Sequence, residues 1–155
     1  MKREVAVLLH NIRSAHNVGS IFRTADAAGV SRVYLSGYTP RPVDRFGRTQ
    51  KDIDKTALGA QQFLPWEYYS SPVKHIAQLK REGWRIVGVE QDACARDYRA
   101  FRAARQTLYV FGNEVRGLSK GLRTLCDELI EIPMRGKKES LNVSVAAGIV
   151  LFSLA

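Results

Sequence analysis

The stretch VAVLLHNIRSAHNVGSIFRTADAAG, from Val5 to Gly29, decides the fold class. It opens with a continuous apolar run, Val5–Leu9, which is too short for the hydrophobic region of a secretion signal and reads as a buried strand. A polar patch from Asn11 to Asn17 follows, and the period of the pattern then changes. Val18, Ile21, Phe22, Ala25 and Ala28 fall on one face of a helix over Val18–Ala28, and Gly29 supplies its stop. The same alternation continues outward. Arg32–Ser36, Arg85–Glu90, Leu108–Phe111 and Leu129–Ile132 read as further strands. Pro72–Glu82 reads as a helix that starts with proline in its first turn and ends at Gly83. Val143–Ala155 reads as another, with Asn142 as N-cap and Val143, Ala146, Ala147, Val150, Leu151 and Leu154 on a common face. Strands that are apolar throughout, rather than on alternate residues, belong to a parallel sheet covered on both faces. The expectation is a single α/β domain over residues 1–155, with helices flanking a parallel sheet and no internal repeat or linker.

A chain of 155 residues with 45% hydrophobic content has enough apolar material for one core. No segment approaches the ~20 consecutive apolar residues of a membrane span. Cys94 and Cys126 stand alone, without paired spacing, which excludes a zinc ribbon or a disulfide framework and points to a reducing cytoplasm. His10, His16 and His75 have no metal-ligand spacing, so no metal is expected. Lysine and arginine number 24 against 15 acidic residues, a net charge of +9 that favours a polyanionic partner such as RNA or DNA. The segment Thr39–Lys55 concentrates this charge. It carries Arg41, Arg45, Arg48, Lys51 and Lys55 among Pro40, Pro42 and Gly47, and reads as an irregular loop at a strand end.

Three clusters gather glycine, asparagine and unpaired polar residues at strand ends, where α/β proteins bind ligands. They are Asn11–Arg23, Phe111–Ser119 and Ile132–Ser144. Gly112, Gly117 and Gly136 would permit close main-chain approach to a ligand. Rival motifs fail: Gly112 and Gly117 have the spacing of a phosphate-binding loop, but Leu118 stands where its lysine must be. The first strand is not followed by the glycine fingerprint of a dinucleotide site, and no serine sits in a hydrolase nucleophile elbow.

Taken in order, the clusters resemble the SpoU/TrmH branch of the SPOUT methyltransferases. Asn11-Ile-Arg13 through Asn17–Asp26 is similar to the family's first motif, Phe111–Leu118 to its second, and Ile132-Pro-Met134 with Ser140–Ala147 to its third. The resemblance implies a parallel sheet with a deep C-terminal trefoil knot, an exception to un-knotted connectivity that no periodicity reveals. It implies S-adenosylmethionine as cofactor, held in the knot at Gly112, Ile132, Met134 and Leu141. It implies methyl transfer to a ribose 2′-hydroxyl of tRNA or rRNA, with Arg23 as the catalytic arginine and Asn17, Glu114, Ser140 and Asn142 as its polar support. By position Arg23 lies among core-facing residues of the first helix. A guanidinium stays protonated in proteins, so Arg23 is expected to orient the hydroxyl and its phosphate rather than to remove a proton.

The resemblance further implies a homodimer, for which the apolar stripe of Val143–Ala155 is the expected interface. Many relatives place an extra RNA-binding domain before the knot, whereas here the first motif begins at Asn11, so no separate N-terminal RNA-binding domain is expected. RNA contacts then fall to Arg13, Arg41, Arg45, Arg48 and Lys51. The sequence stops at Leu154-Ala155 inside a helical pattern, as a truncated or simply short terminal helix would. Two alternatives stay open: a knotted methyltransferase acting on a base nitrogen, and a non-catalytic RNA-binding factor.

Overall fold

The computed structural model describes residues 2–153. Strands β1 (Glu4–His10), β2 (Arg32–Ser36), β3 (Trp66–Tyr69), β4 (Arg85–Val89), β5 (Arg96–Asp97), β6 (Gln106–Phe111) and β7 (Glu128–Glu131) form one parallel sheet of order β3-β2-β1-β6-β4-β7-β5. Helices α1 (Ala15–Ala27), α2 (Lys51–Ala57), α3 (Ala60–Phe63) and α6 (Val143–Ser153) cover one face, and α4 (Val73–Arg81) and α5 (Lys120–Leu125) the other. The continuous apolar runs have a simple cause. In β1, Val7 and Leu9 join the core under α1 and α6, while Ala6 and Leu8 join the core under α4 and α5. In β6, Tyr109 and Phe111 divide from Leu108 and Val110 in the same way. A strand buried on both sides has no position left for a solvent-facing polar residue.

The sequence-based elements are recovered with shifted ends and additions. Helix α1 starts at Ala15, three residues before the expected Val18, because the Ser14 side chain caps it by accepting from the Asn17 N–H at 3.2 Å. Pro72 is the N-cap of α4 rather than a first-turn residue. Part of the expected loop over Thr39–Lys55 is helical, since α2 begins at Lys51 behind Gln50, with Asp52 and Asp54 in its first turn and Lys55 in its last. That arrangement suits the helix dipole. Strands β3 and β5 and helices α3 and α5 were not expected. Each is short, and β3 is half-buried throughout.

Helix α6 corrects the expected interface. Val143, Ala147, Val150 and Leu151 are buried in the chain's own core, so they cannot face a partner. Leu154 lies outside the described residues. The apolar residues left toward solvent are Val145 and Phe152, with half-buried Ile149 between them in helical spacing. No helix among the described residues is long and apolar enough to cross a membrane.

Candidate active site

The carboxyl ends of β4, β6 and β7 open onto a cavity of about 180 Å³. Val89, Ile132, Met134, Leu141, Val143 and Ala146 give it an apolar wall; Glu90, Gln91, Glu131, Ser140 and the Gly112–Gly117 loop give it a polar one. The clusters Phe111–Ser119 and Ile132–Ser144 line this space, and Asn11–Arg23 adjoins it through Glu114.

The loop after β6 is a tight, fully bonded turn. Gly117 donates to the Asn113 carbonyl at 2.8 Å, and its φ of +67° favours glycine. A Cβ on Gly112 would lie 2.7 Å from the Gly117 carbonyl carbon, so this pair must stay bare for the turn to close. Gly136, by contrast, has open space around it and is not required by packing. The buried Asn113 accepts from the Val115 and Arg116 N–H groups at 2.9 and 2.8 Å. It donates to the Asn11 carbonyl at 3.0 Å and to the Tyr38 hydroxyl at 2.8 Å. Glu90, at the end of β4, accepts from the Leu118 N–H at 2.5 Å, and the Gln91 amide donates to the Ile132 carbonyl at 2.7 Å. The three strand ends are thereby laced together around the cavity.

Glu114 ties this turn to the first helix. Its carboxylate accepts from the Arg13 N–H at 3.1 Å and from the Ser14 N–H at 3.2 Å, the amides that lead into α1. Burial alone would raise the carboxyl's pKa. The amides of Arg13, Ser14 and its own backbone, together with the Asn17 side chain, outweigh burial and hold it below its usual range. Asn17 in turn accepts from the Asn142 amide at 3.3 Å. The other end of Asn142 accepts from the Ser144 N–H at 2.8 Å and hydroxyl at 2.6 Å, capping α6 as expected. Residues 17, 114 and 142, far apart in sequence, form one polar chain at the cavity rim.

Gly112, Ile132, Met134 and Leu141 all line the cavity, as do Glu114 and Ser140. Asn17 and Asn142 stand beside it through Glu114. Arg23 does not line it. Its residue is exposed on α1, although it is flanked by buried Ile21, Phe22 and Ala25, which corrects its expected place among core-facing positions. It sits six residues beyond Asn17, or about 9 Å along the helix. Among the residues expected to touch RNA, Arg13 is exposed beside the cavity rim. The Arg41 guanidinium lies over the Tyr68 ring, 4.2 Å from its centroid. Arg48 pairs with Asp44 at 2.8 Å rather than standing free, and Lys51 opens α2. Arg41, Arg48 and Lys51 border a shallow depression with Thr39 and Tyr68, separate from the cavity. Sequence reasoning missed Glu90 and Gln91 and gave Asn113, inside the second cluster, no role of its own. The signal for Glu90 and Gln91 is that polar residues directly follow a buried strand. Among the described residues no group of three His, Cys, Asp or Glu side chains is placed to hold a metal ion.

Residues 4–152 match the model of the SpoU rRNA methylase family. A Staphylococcus haemolyticus protein assigned to the TrmH family of tRNA/rRNA methyltransferases is 36% identical over 148 residues, 96% of this chain and 57% of its own length. The 23S rRNA (guanosine-2′-O-)-methyltransferase RlmB of Salmonella typhi is 37% identical over 150 residues, 97% of this chain and 59% of its own. The crystal structure of an AdoMet-bound rRNA methyltransferase from Sinorhizobium meliloti superposes with a TM-score of 0.87 at 29% identity, covering 99% of this chain and 56% of that one. The chain thus spans less than two thirds of the length of these relatives.

Proposed function

The chain belongs to the SpoU rRNA methylase family, and from that premise we propose that it transfers a methyl group from S-adenosylmethionine to a ribose 2′-hydroxyl of tRNA or rRNA. The observation that carries this is the meeting of Asn17, Glu114 and Asn142 at the rim of a cavity lined by Gly112, Ile132, Met134 and Leu141. The cavity suits the cofactor chemically. Its apolar wall accepts a flat heterocycle, the main chain of the Gly112–Gly117 turn offers hydrogen bonds, and Glu90, Glu114 and Glu131 border it as carboxylates complementary to a cation. When bound, S-adenosylmethionine supplies the sulfonium methyl group that the ribose oxygen takes up.

The protein's own tasks are to align the hydroxyl and to favour loss of its proton. Glu114 is a positioning residue, because its oxygens are already engaged by main-chain donors and its lowered pKa makes it a weak base at neutral pH. Asn17 and Asn142 hold the start of α6 against the start of α1 and leave polar edges toward the substrate. Ser140 lines the cavity as a hydroxyl. Arg23 orients the ribose and its neighbouring phosphate through its guanidinium. Its exposed position outside the cavity supports separate roles for arginine and cofactor pocket. Arg23→Ala should therefore abolish methyl transfer while leaving cofactor affinity within about twofold. Calorimetric titration beside a tritiated-methyl assay reads both, and wild-type turnover in the variant would remove Arg23 from the mechanism.

A second copy of the chain would cover Val145, Ile149 and Phe152, which otherwise leave an apolar stripe in water. The segment after β7 would thread the loop after β6 as a trefoil knot, a reading supported by the closeness of Ile132, Met134, Ser140 and Leu141 to the Gly112–Gly117 loop around one cavity; an experimental density map in which that segment passes outside the loop would exclude it. Arg13, Arg41, Arg45, Arg48 and Lys51 would meet RNA phosphates.

A further inference from the structure

We propose that the tip of the β2–α2 connection is a stacking site for one unpaired RNA base, with Phe46 as the platform and Arg45 and Arg48 flanking it. The proposal rests on the RNA-methyltransferase reading above for its choice of partner. Phe46 is 67% exposed, and a single exposed aromatic residue is ordinary by itself. What sets it apart is its setting. The guanidinium of Arg45 lies over the ring 4.8 Å from its centroid and that of Arg48 5.1 Å from it, so two cations accompany the ring.

The tip is also built rather than loose. Val43 and Thr49 form an antiparallel bridge at its base. Asp44 accepts from the Phe46 N–H at 2.8 Å, from the Arg48 N–H at 2.9 Å and from the Arg48 side chain at 2.8 Å. The Asp44 N–H donates back to the Arg48 carbonyl at 2.9 Å, and Gly47, at φ +78°, donates to the Asp44 carbonyl at 3.0 Å and closes the turn. The acidic side chain of this basic tip is thus spent on holding Phe46 and Arg48 in place. Arg48 keeps its Asp44 carboxyl below the usual carboxylate range, first through its backbone N–H, so the clasp stays ionised at neutral pH.

An exposed aromatic ring accompanied by guanidinium groups recognises a flat, electron-rich ring attached to an anionic backbone, which is the chemistry of a nucleobase in single-stranded RNA. Bases inside a duplex are already stacked on both sides and cannot reach the ring. Phe46 is not part of the cavity wall, so the stacked base is a neighbour of the methylated nucleotide and not that nucleotide itself. The substrate class is accordingly RNA presenting an unpaired loop or strand.

The test uses the full chain, a fluorescein-labelled oligo(A) strand, and the same strand annealed to its complement. Phe46→Ala should weaken single-strand binding roughly tenfold, leave duplex binding unchanged, and preserve the slope of affinity against salt, because stacking carries no charge. Phe46→Trp should restore affinity, and its emission should be quenched on binding. Asp44→Ala separates the clasp from simple charge: removing an anion should tighten RNA binding by attraction alone, whereas loss of the clasp should weaken it. An affinity for Phe46→Ala within twofold of wild type, an equal loss on duplex, or tighter binding by Asp44→Ala would overturn the proposal. Cofactor affinity measured on the same proteins keeps the outcomes apart, since a wild type that binds RNA through Phe46 but no S-adenosylmethionine would sink the enzyme reading alone.

Discussion

Replacing Glu114 with alanine should destabilise the fold by roughly 2 kcal/mol at neutral pH, because it removes the one carboxylate that accepts from both amides leading into α1. Two hydrogen bonds to an ionised acceptor would each be worth about 1.5 kcal/mol if fully buried; the side chain is partly exposed, so water recovers some of the loss and the sum is reduced accordingly. In a domain of this size ~2 kcal/mol lowers the melting temperature by about 4–8 °C. Glu114→Gln keeps a neutral acceptor and should show about half that shift. The pH dependence fixes the cause. A carboxyl whose folded pKa is depressed contributes its stability above its unfolded pKa and loses it as pH falls through the folded value. Wild type and Glu114→Ala should therefore differ fully at pH 7 and converge below about pH 4. Thermal melts by circular dichroism across that range give the answer. Equal melting temperatures at pH 7, or a difference that persists undiminished into acid, would refute the reasoning.

Three further outcomes follow from the same geometry. Gly112→Ala forces a methyl group against the Gly117 backbone, so the turn must shift at a cost of about 1–3 kcal/mol, and S-adenosylmethionine affinity by calorimetry should fall at least fivefold; unchanged affinity would place the cofactor elsewhere. The buried His75 ring stacks on Tyr69 at 4.1 Å and meets Tyr34 edge-on at 4.2 Å, and burial lowers its pKa although Glu67 and Glu82 oppose this. Folding then favours the neutral ring, stability falls as pH drops below 6.5, and His75→Phe should flatten the part of that slope not due to the similarly lowered His10; an unaltered slope in chemical-denaturation curves would contradict this. Phe152→Asp places a charge in the exposed α6 stripe and should convert a dimer to a monomer in sedimentation experiments, and a wild type that sediments as a monomer would end the dimer reading.

What the sequence made legible, and what it hid, has physical reasons. Strands β1, β2, β4, β6 and β7 could be read because each is buried on one or both faces and is rich in aliphatic residues. Strand β3 escaped because Trp66–Tyr69 is a short, half-buried edge, and β5 because two residues carry no period. Helix α2 was masked by the prolines and glycine just before it, which describe the loop and not the helix that follows. Helix α6 is apolar on nearly every side, so periodicity could not tell its core face from its free one, and the expected interface fell on buried residues. Of the site, the positions proposed to hold the cofactor came through family likeness. Glu90 and Gln91 became visible only once topology brought the end of β4 beside the loop after β6. The solvent-facing direction of Arg23 depended on helix phase, which its apolar neighbours had obscured.

The most direct measurement is nucleoside mass spectrometry of tRNA and rRNA lacking the modification, after incubation with this protein and isotope-labelled S-adenosylmethionine. Label is expected in a 2′-O-methylated nucleoside, at a linkage that resists alkaline cleavage, and should be lost with Arg23→Ala. Label on a base nitrogen, or transfer by wild type and variant alike, would contradict it.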